Sequence, residues 1–194
     1  MKWPSPLILA STSPRRKELL AEAGIAAIDL APSIDDSLLG CGSMPPREWV
    51  RTLAILKARS VCDSSNEGHG TVLAADTVCV VDGEILGKPE SAAMAREMIV
   101  SMINRDHDVC TGWCLKTIDG NNSLHGCETT LVSIGNIEQN DIDAYVQSAL
   151  WKGKAGGYNL SERLAAGWPL TWQGDPTSVM GLPMERLTAE LSRK

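Results

Sequence analysis

Apolar and polar positions along the chain switch repeatedly between a strand-like and a helix-like period, and no internal repeat, low-complexity tract or linker interrupts them. The alternation predicts one continuous α/β pattern. Leu7 to Ala10 is a short apolar run of strand type, and Pro14 opens a helix that ends at Gly24. Ala26 to Ala31 reads as a second strand, leading into an acidic turn at Ser33, Ile34, Asp35 and Asp36. After a loop rich in glycine and proline, Pro46 starts a helix to about Cys62, with Trp49, Leu53, Leu56 and Ser60 on one face.

Val72 to Ala75 is continuously apolar, as in a strand buried on both faces, until Asp76 and Thr77 break the run. Asp82 and Gly83 predict a hairpin turn, with Glu84 to Leu86 returning. A helix from Pro89 to about Ile103 is expected to turn Ala93, Met94, Met98 and Met102 inward. His107 to Ile118 and Ser123 to Gly135 alternate like two long antiparallel strands. Asn140 then caps a helix to about Leu150, a glycine-rich segment spans Gly153 to Tyr158, a loop runs through Pro176, and a last helix begins at Pro183.

The start of the first helix carries unexpected charge. With Ser13 as N-cap, Arg15 and Arg16 fall in the first turn, where the macrodipole is positive and a cation is disfavoured by about 0.3–1 kcal/mol unless an anion lies nearby. Free N–H groups, several hydroxyls and guanidinium forks following a strand can cradle a phosphate, although the glycines of a P-loop are missing. Solvated arginines on a surface helix give the same pattern.

Asp76 is the first candidate for catalysis, because an aspartate at the end of an apolar strand is costly to bury without a cation, a proton or hydrogen bonds. Ligands also gather at strand ends in open α/β sheets. It could bind Mg²⁺, act as general base for water, or simply cap its turn onto Thr77. Asp35 and Asp36 offer further carboxylates for a shared cation. Lys57 lies on a largely apolar helix and Lys88 precedes a helix start; each alone reads as a surface lysine. Together, cations and carboxylates at element ends of an acidic protein describe a site for a metal-bound polyphosphate.

Composition narrows the picture. A chain of 194 residues can bury a full core as one domain, either simple or two-lobed. The net charge of −6 argues against general nucleic-acid binding. No run of 18 apolar residues is present, and the first six residues are too short and polar for a signal peptide, so neither a membrane span nor export is expected and the cytoplasm is the expected compartment. The six cysteines lack C-x-x-C pairing and are expected to be free thiols. Three histidines and no Ser/His/Asp spacing disfavour nucleophilic hydrolysis.

The segments LILASTSPRRKELL, AADTVCVVDGEILGKP, HDVCTG, KAGGY and VMGLPMERL resemble, in order, the motifs of the Maf family of nucleoside triphosphate pyrophosphatases. The resemblance spans nearly the whole chain. It implies a single Maf-like domain over residues 1–194, with two lobes around a cleft. The implied fold is α/β, an elongated mixed sheet flanked by helices, related to the inosine triphosphate pyrophosphatases. It further implies a homodimer that hydrolyses a standard, modified or non-standard nucleoside triphosphate to monophosphate and pyrophosphate with Mg²⁺ or Mn²⁺.

By the same resemblance, Asp76 is the proton acceptor and a metal ligand, Ser13 and Arg15 form the substrate-binding turn, and Lys57 and Lys88 face the phosphates. Asp36 stands where members usually carry a glutamate and is the second metal candidate. Base choice is expected at Arg15, Thr77 and Ser161; the first two match members that prefer thymidine or uridine triphosphate, but Ser161 and Glu162 replace their glutamine. Members that prefer 7-methyl-GTP carry a Trp, a Gln and a Glu instead, so the chain matches neither set and the resemblance assigns no base. The family's association with septum formation leaves a rival reading, a nucleotide-binding regulator of cell division that does not turn substrate over.

Overall fold

The structure is a computed structural model and describes residues 3–34, 39–65, 68–120 and 122–192. Among the described residues, seven strands form one mixed sheet. β1 (Leu7–Ala10), β2 (Ile28–Asp29), β3 (Thr71–Val81), β5 (Arg105–Thr117), β6 (Ser123–Ile134) and β7 (Leu170–Gln173) lie in the order β2-β1-β3-β5-β6-β7, and β4 (Glu84–Leu86) pairs with β3. The helices are α1 (Pro14–Glu22), α2 (Pro46–Ser64), α3 (Ala92–Met102), α4 (Gln139–Gln147), α5 (Leu160–Ala165), α6 (Pro176–Val179) and α7 (Met184–Leu191), with a 3₁₀ turn at Ala155–Gly157.

The strand β3 organises the molecule. β5 runs antiparallel along one of its edges from Thr71 to Val80. On the opposite edge, β1 pairs in parallel with Thr71 to Ala74, and β4 pairs antiparallel with Cys79 to Val81. Among the described residues, 75–78 therefore lack a strand partner on that side. Asp76 and Thr77 sit in this break, not at the end of β3 as the interrupted apolar run suggests: the strand continues through them because β5 supplies an unbroken ladder from the other side.

Alternation along β3 sends its side chains to two faces. Val72 and Ala74 pack with Ile8, Ala10 and the α2 residues Ala54, Ala58 and Val61, while Val78 and Val80 pack with Val50 and Cys110. Leu73 and Ala75 join Leu7, Leu19, Trp113 and Leu187 on the other face, and Cys79 and Val81 join a separate cluster around Ile99, Tyr145 and Tyr158. Asp76 thus shares the α2 face and Thr77 the opposite one.

Several expectations shift for reasons of packing. The second strand shrinks to Ile28–Asp29. α2 buries Val50, Leu53, Ala54, Lys57, Ala58 and Val61, so Trp49 and Leu56 lie off its buried stripe. In α3, Ala95, Ile99 and Met102 face inward while Met94 is exposed; Ser91 caps this helix by accepting a 3.2 Å bond from the Met94 amide. The stretch expected as loop before Pro176 contains α5 and β7, the latter added to the sheet beside β6. All six cysteines are free thiols.

Candidate active site

The site is built at the break beside β3. Gly112, opposite Asp76 in the β5 ladder, has no room for a side chain: a Cβ there would lie 2.3 Å from the Val50 carbonyl carbon. α2 can therefore lie directly on the sheet, and two turns beyond Val50 it carries Lys57 over β3. The Lys57 ammonium is 2.5 Å from Asp76 Oδ1, and both side chains are largely buried. A carboxylate and an ammonium withdrawn from water in this way need each other, since either alone carries a desolvation cost of several kcal/mol.

On the opposite face, Arg16 reaches the neighbouring residue. Its guanidinium donates to the Gly181 carbonyl at 2.9 Å, to Ser11 Oγ at 3.3 Å and to Thr77 Oγ1 at 3.4 Å. Thr111 donates its hydroxyl to the Ser178 carbonyl at 2.8 Å, so the 2.9 Å contact between Thr77 and Thr111 is a bond donated by Thr77. Thr77 is thereby fixed as an acceptor toward Arg16. Ser13 occupies the N-cap position by its backbone angles, but its side chain makes no capping bond; its amide donates to Ser11 Oγ at 3.1 Å instead.

Of the two arginines, Arg16 is the one turned to the break. Arg15 bonds Glu18 at 2.9 Å and Glu22 at 3.4 Å along its own helix and touches Met180 Sδ at 3.2 Å. The pattern Ser-Pro-Arg-Arg alone could not separate them. Helical geometry does, because adjacent positions point about 100° apart: both guanidinium groups reach the 178–181 segment, Arg15 at Met180 and Arg16 at Gly181, but Arg16 is the one bonded to Ser11 and Thr77.

Lys88 is exposed and follows Gly87, whose carbonyl accepts a 2.9 Å bond from the Gly156 amide. The glycine-rich segment and the Lys88 segment are thus neighbours. Lys154, at the start of that segment, pairs with Glu162. Ser161 donates to the Asn159 side chain at 2.8 Å beside the start of α5. Asp36 lies outside the described residues.

Among the described residues no three His, Cys, Asp or Glu side chains cluster to hold a metal ion. Asp76 supplies one hard oxygen donor. That suits an ion such as Mg²⁺, which is commonly bound through one or two carboxylates and completed by substrate phosphates. Two surface hollows of about 570 and 430 Å³ lie elsewhere, one beside Trp168 and Thr171, the other beside Lys17 and Ala27. Asp76 lines neither.

The fold and site thus combine a mixed α/β sheet, a lysine–aspartate pair at a strand break and an arginine bonded to the next residue on the other face. The profile of the family described as Maf-like protein matches residues 6–194, and the chain belongs to that family. Similar curated proteins include the dTTP/UTP pyrophosphatase of Symbiobacterium thermophilum, 39% identical over 96% of this chain and 93% of that one. The dTTP/UTP pyrophosphatase of Salinibacter ruber is 40% identical over 94% and 87%. That of Pyrococcus abyssi is 38% identical over 92% and 91%. A crystal structure of a nucleoside-triphosphatase, dITP/XTP pyrophosphatase, from Mycobacterium abscessus aligns with a TM-score of 0.42 and 16% identity over 68% of this chain and 74% of that one.

Proposed function

We propose that the protein is a nucleoside triphosphate pyrophosphatase that releases monophosphate and pyrophosphate. The observation that carries this reading is the Lys57–Asp76 pair beside an unpartnered strand edge, with Arg16 bonded to Thr77 next to it. Asp76 orients the attacking water and accepts its proton, while Lys57 holds the carboxylate in place. Arg16 and Lys88 bind the triphosphate and offset the charge gathered on the departing pyrophosphate. Ser13 belongs to the same turn through its bond to Ser11, which also accepts from Arg16. Arg15, Thr77 and Ser161 remain the positions for base choice.

Asp76, with Asp36, would hold a divalent cation such as Mg²⁺ or Mn²⁺, which supplies charge neutralisation on the phosphate oxygens. The chain acts as one two-lobed domain, as a homodimer in the cytoplasm, with a nucleotide and not a nucleic acid as its partner. Among the described residues no helix is long and apolar enough to cross a membrane.

The test is a panel of nucleoside triphosphates with added Mg²⁺, read by pyrophosphate release. dTTP and UTP head the panel because the curated relatives are named for them. Pyrophosphate with stoichiometric monophosphate is the expected result. Nucleotide binding without release would mark a regulator instead, and free orthophosphate an unspecific phosphatase.

A further inference from the structure

His107 takes no part in the chemistry above, yet it is only 3% exposed. Its Nε2 lies 2.7 Å from the Tyr158 hydroxyl, and the two rings meet edge to face with centroids 5.6 Å apart. Its Nδ1 is buried without a partner. An imidazole in this setting carries an uncompensated desolvation cost that an apolar residue would avoid. The bond to Tyr158 is what the position gains in exchange.

Tyr158 closes the glycine turn Ala155–Gly157, and that turn is tied down at three points. The Gly156 amide donates to the Gly87 carbonyl at 2.9 Å, the Tyr145 hydroxyl donates to the Gly157 carbonyl at 2.8 Å, and Tyr158 meets His107. Gly156 adopts φ +64° and sits so close to β3 that a Cβ would fall 2.7 Å from Cys79 Sγ. Cys79 is three residues beyond Asp76, and Gly87 directly precedes Lys88. A bond from β5 to Tyr158 therefore fixes the turn that fixes the backbone beside Lys88.

We propose that His107 and Tyr158 are a positioning pair for the triphosphate site, setting the place of the Lys88 ammonium through the glycine turn. The inference rests on the reading of Lys88 as a phosphate-binding residue. Tyr158→Phe removes one hydroxyl and leaves the ring. The expected result is a rise in KM for the triphosphate of about tenfold, the effect of one hydrogen bond, with kcat nearly unchanged.

Because this variant also leaves His107 without its bond, a second variant separates positioning from stability. In His107→Leu/Tyr158→Phe both polar partners are gone, a change that can be nearly neutral for folding. A melting temperature restored toward wild type with KM still raised supports the pair as a positioning device. Recovery of KM together with the melting temperature overturns it, as does a wild-type KM in Tyr158→Phe. Lys88→Ala distinguishes the two levels: if it raises KM while Tyr158→Phe does not, only the pair fails; if Lys88→Ala itself has wild-type KM, the reading of Lys88 fails and the pair's role with it.

Discussion

Asp76 and Lys57 occupy one buried contact, so their removal should separate chemistry from binding. Asp76→Asn keeps the size of the side chain and loses the proton acceptor; turnover should fall at least about a hundredfold while nucleotide binding, measured by calorimetry, persists. Full turnover would exclude Asp76 as the base. At the neighbouring site, Arg16→Ala removes donors to Thr77, Ser11 and Gly181 and should lower kcat/KM by roughly ten- to a hundredfold, as expected for a charge-assisted bond of about 1.5–3 kcal/mol. Arg15→Ala should have the smaller effect on triphosphate affinity, since its charged partners are Glu18 and Glu22 on its own helix and its remaining contact is the Met180 sulfur. Equal losses would show that both guanidinium groups reach the substrate.

His107 makes the same scale visible in stability. Burial pushes its imidazole down from 6.5 to about 4, against a smaller opposing influence of Asp106. The unfolded chain therefore takes up a proton near pH 6.5 that the folded chain accepts only near 4, and folding loses on the order of 3 kcal/mol as pH falls through that window. Above pH 6.5 the group makes no difference. Denaturant midpoints followed from pH 8 to pH 4 should fall more steeply for wild type than for His107→Leu; parallel curves would mean that folding does not shift the imidazole.

At the scale of elements, the contact between α2 and β5 decides where the lysine stands. Gly112→Ala would push a methyl group into the backbone of Val50 and Arg51, which no rotamer change can relieve. The expected cost is about 1–3 kcal/mol, read as a lower melting temperature, with a fall in turnover because Lys57 moves with its helix. A variant as stable and active as wild type would show that α2 can lift from the sheet without consequence. Much of this layer was legible beforehand. The strand before Ser11, the Asp82-Gly83 hairpin and the two long strands each combine an apolar period with turn residues of fixed preference. β7 was hidden because four residues carry too little period to register, and its pairing comes from a long-range partner, β6. The inward face of α3 is not legible in its pattern, because methionine suits either surface and Met94 is in fact exposed.

At the scale of the whole molecule, sequence motifs name candidate residues but not the directions in which they point. Asp76 and Lys57 are 19 positions apart and meet only because a glycine lets a helix lie flat on the sheet. Arg16 could be told from Arg15 only once Gly181, far along the chain, was in place. Local pattern names the groups; tertiary packing decides which of them face one another. Sedimentation velocity should return twice the 20.8 kDa mass if the chain is a homodimer, and the single mass would overturn that assignment.

The unpartnered stretch of β3 at residues 75–78 also bears on solubility. An exposed strand edge is ordinarily an invitation to other chains, because its row of N–H and C=O groups can recruit a further strand. Here β1 and β4 leave open only about 13 Å of backbone, at 3.3 Å per residue, and each acts as a bumper at one end. With so short a gap, and with Ala75 and Val78 buried, a foreign strand cannot seat there, so the break offers no template for aggregation.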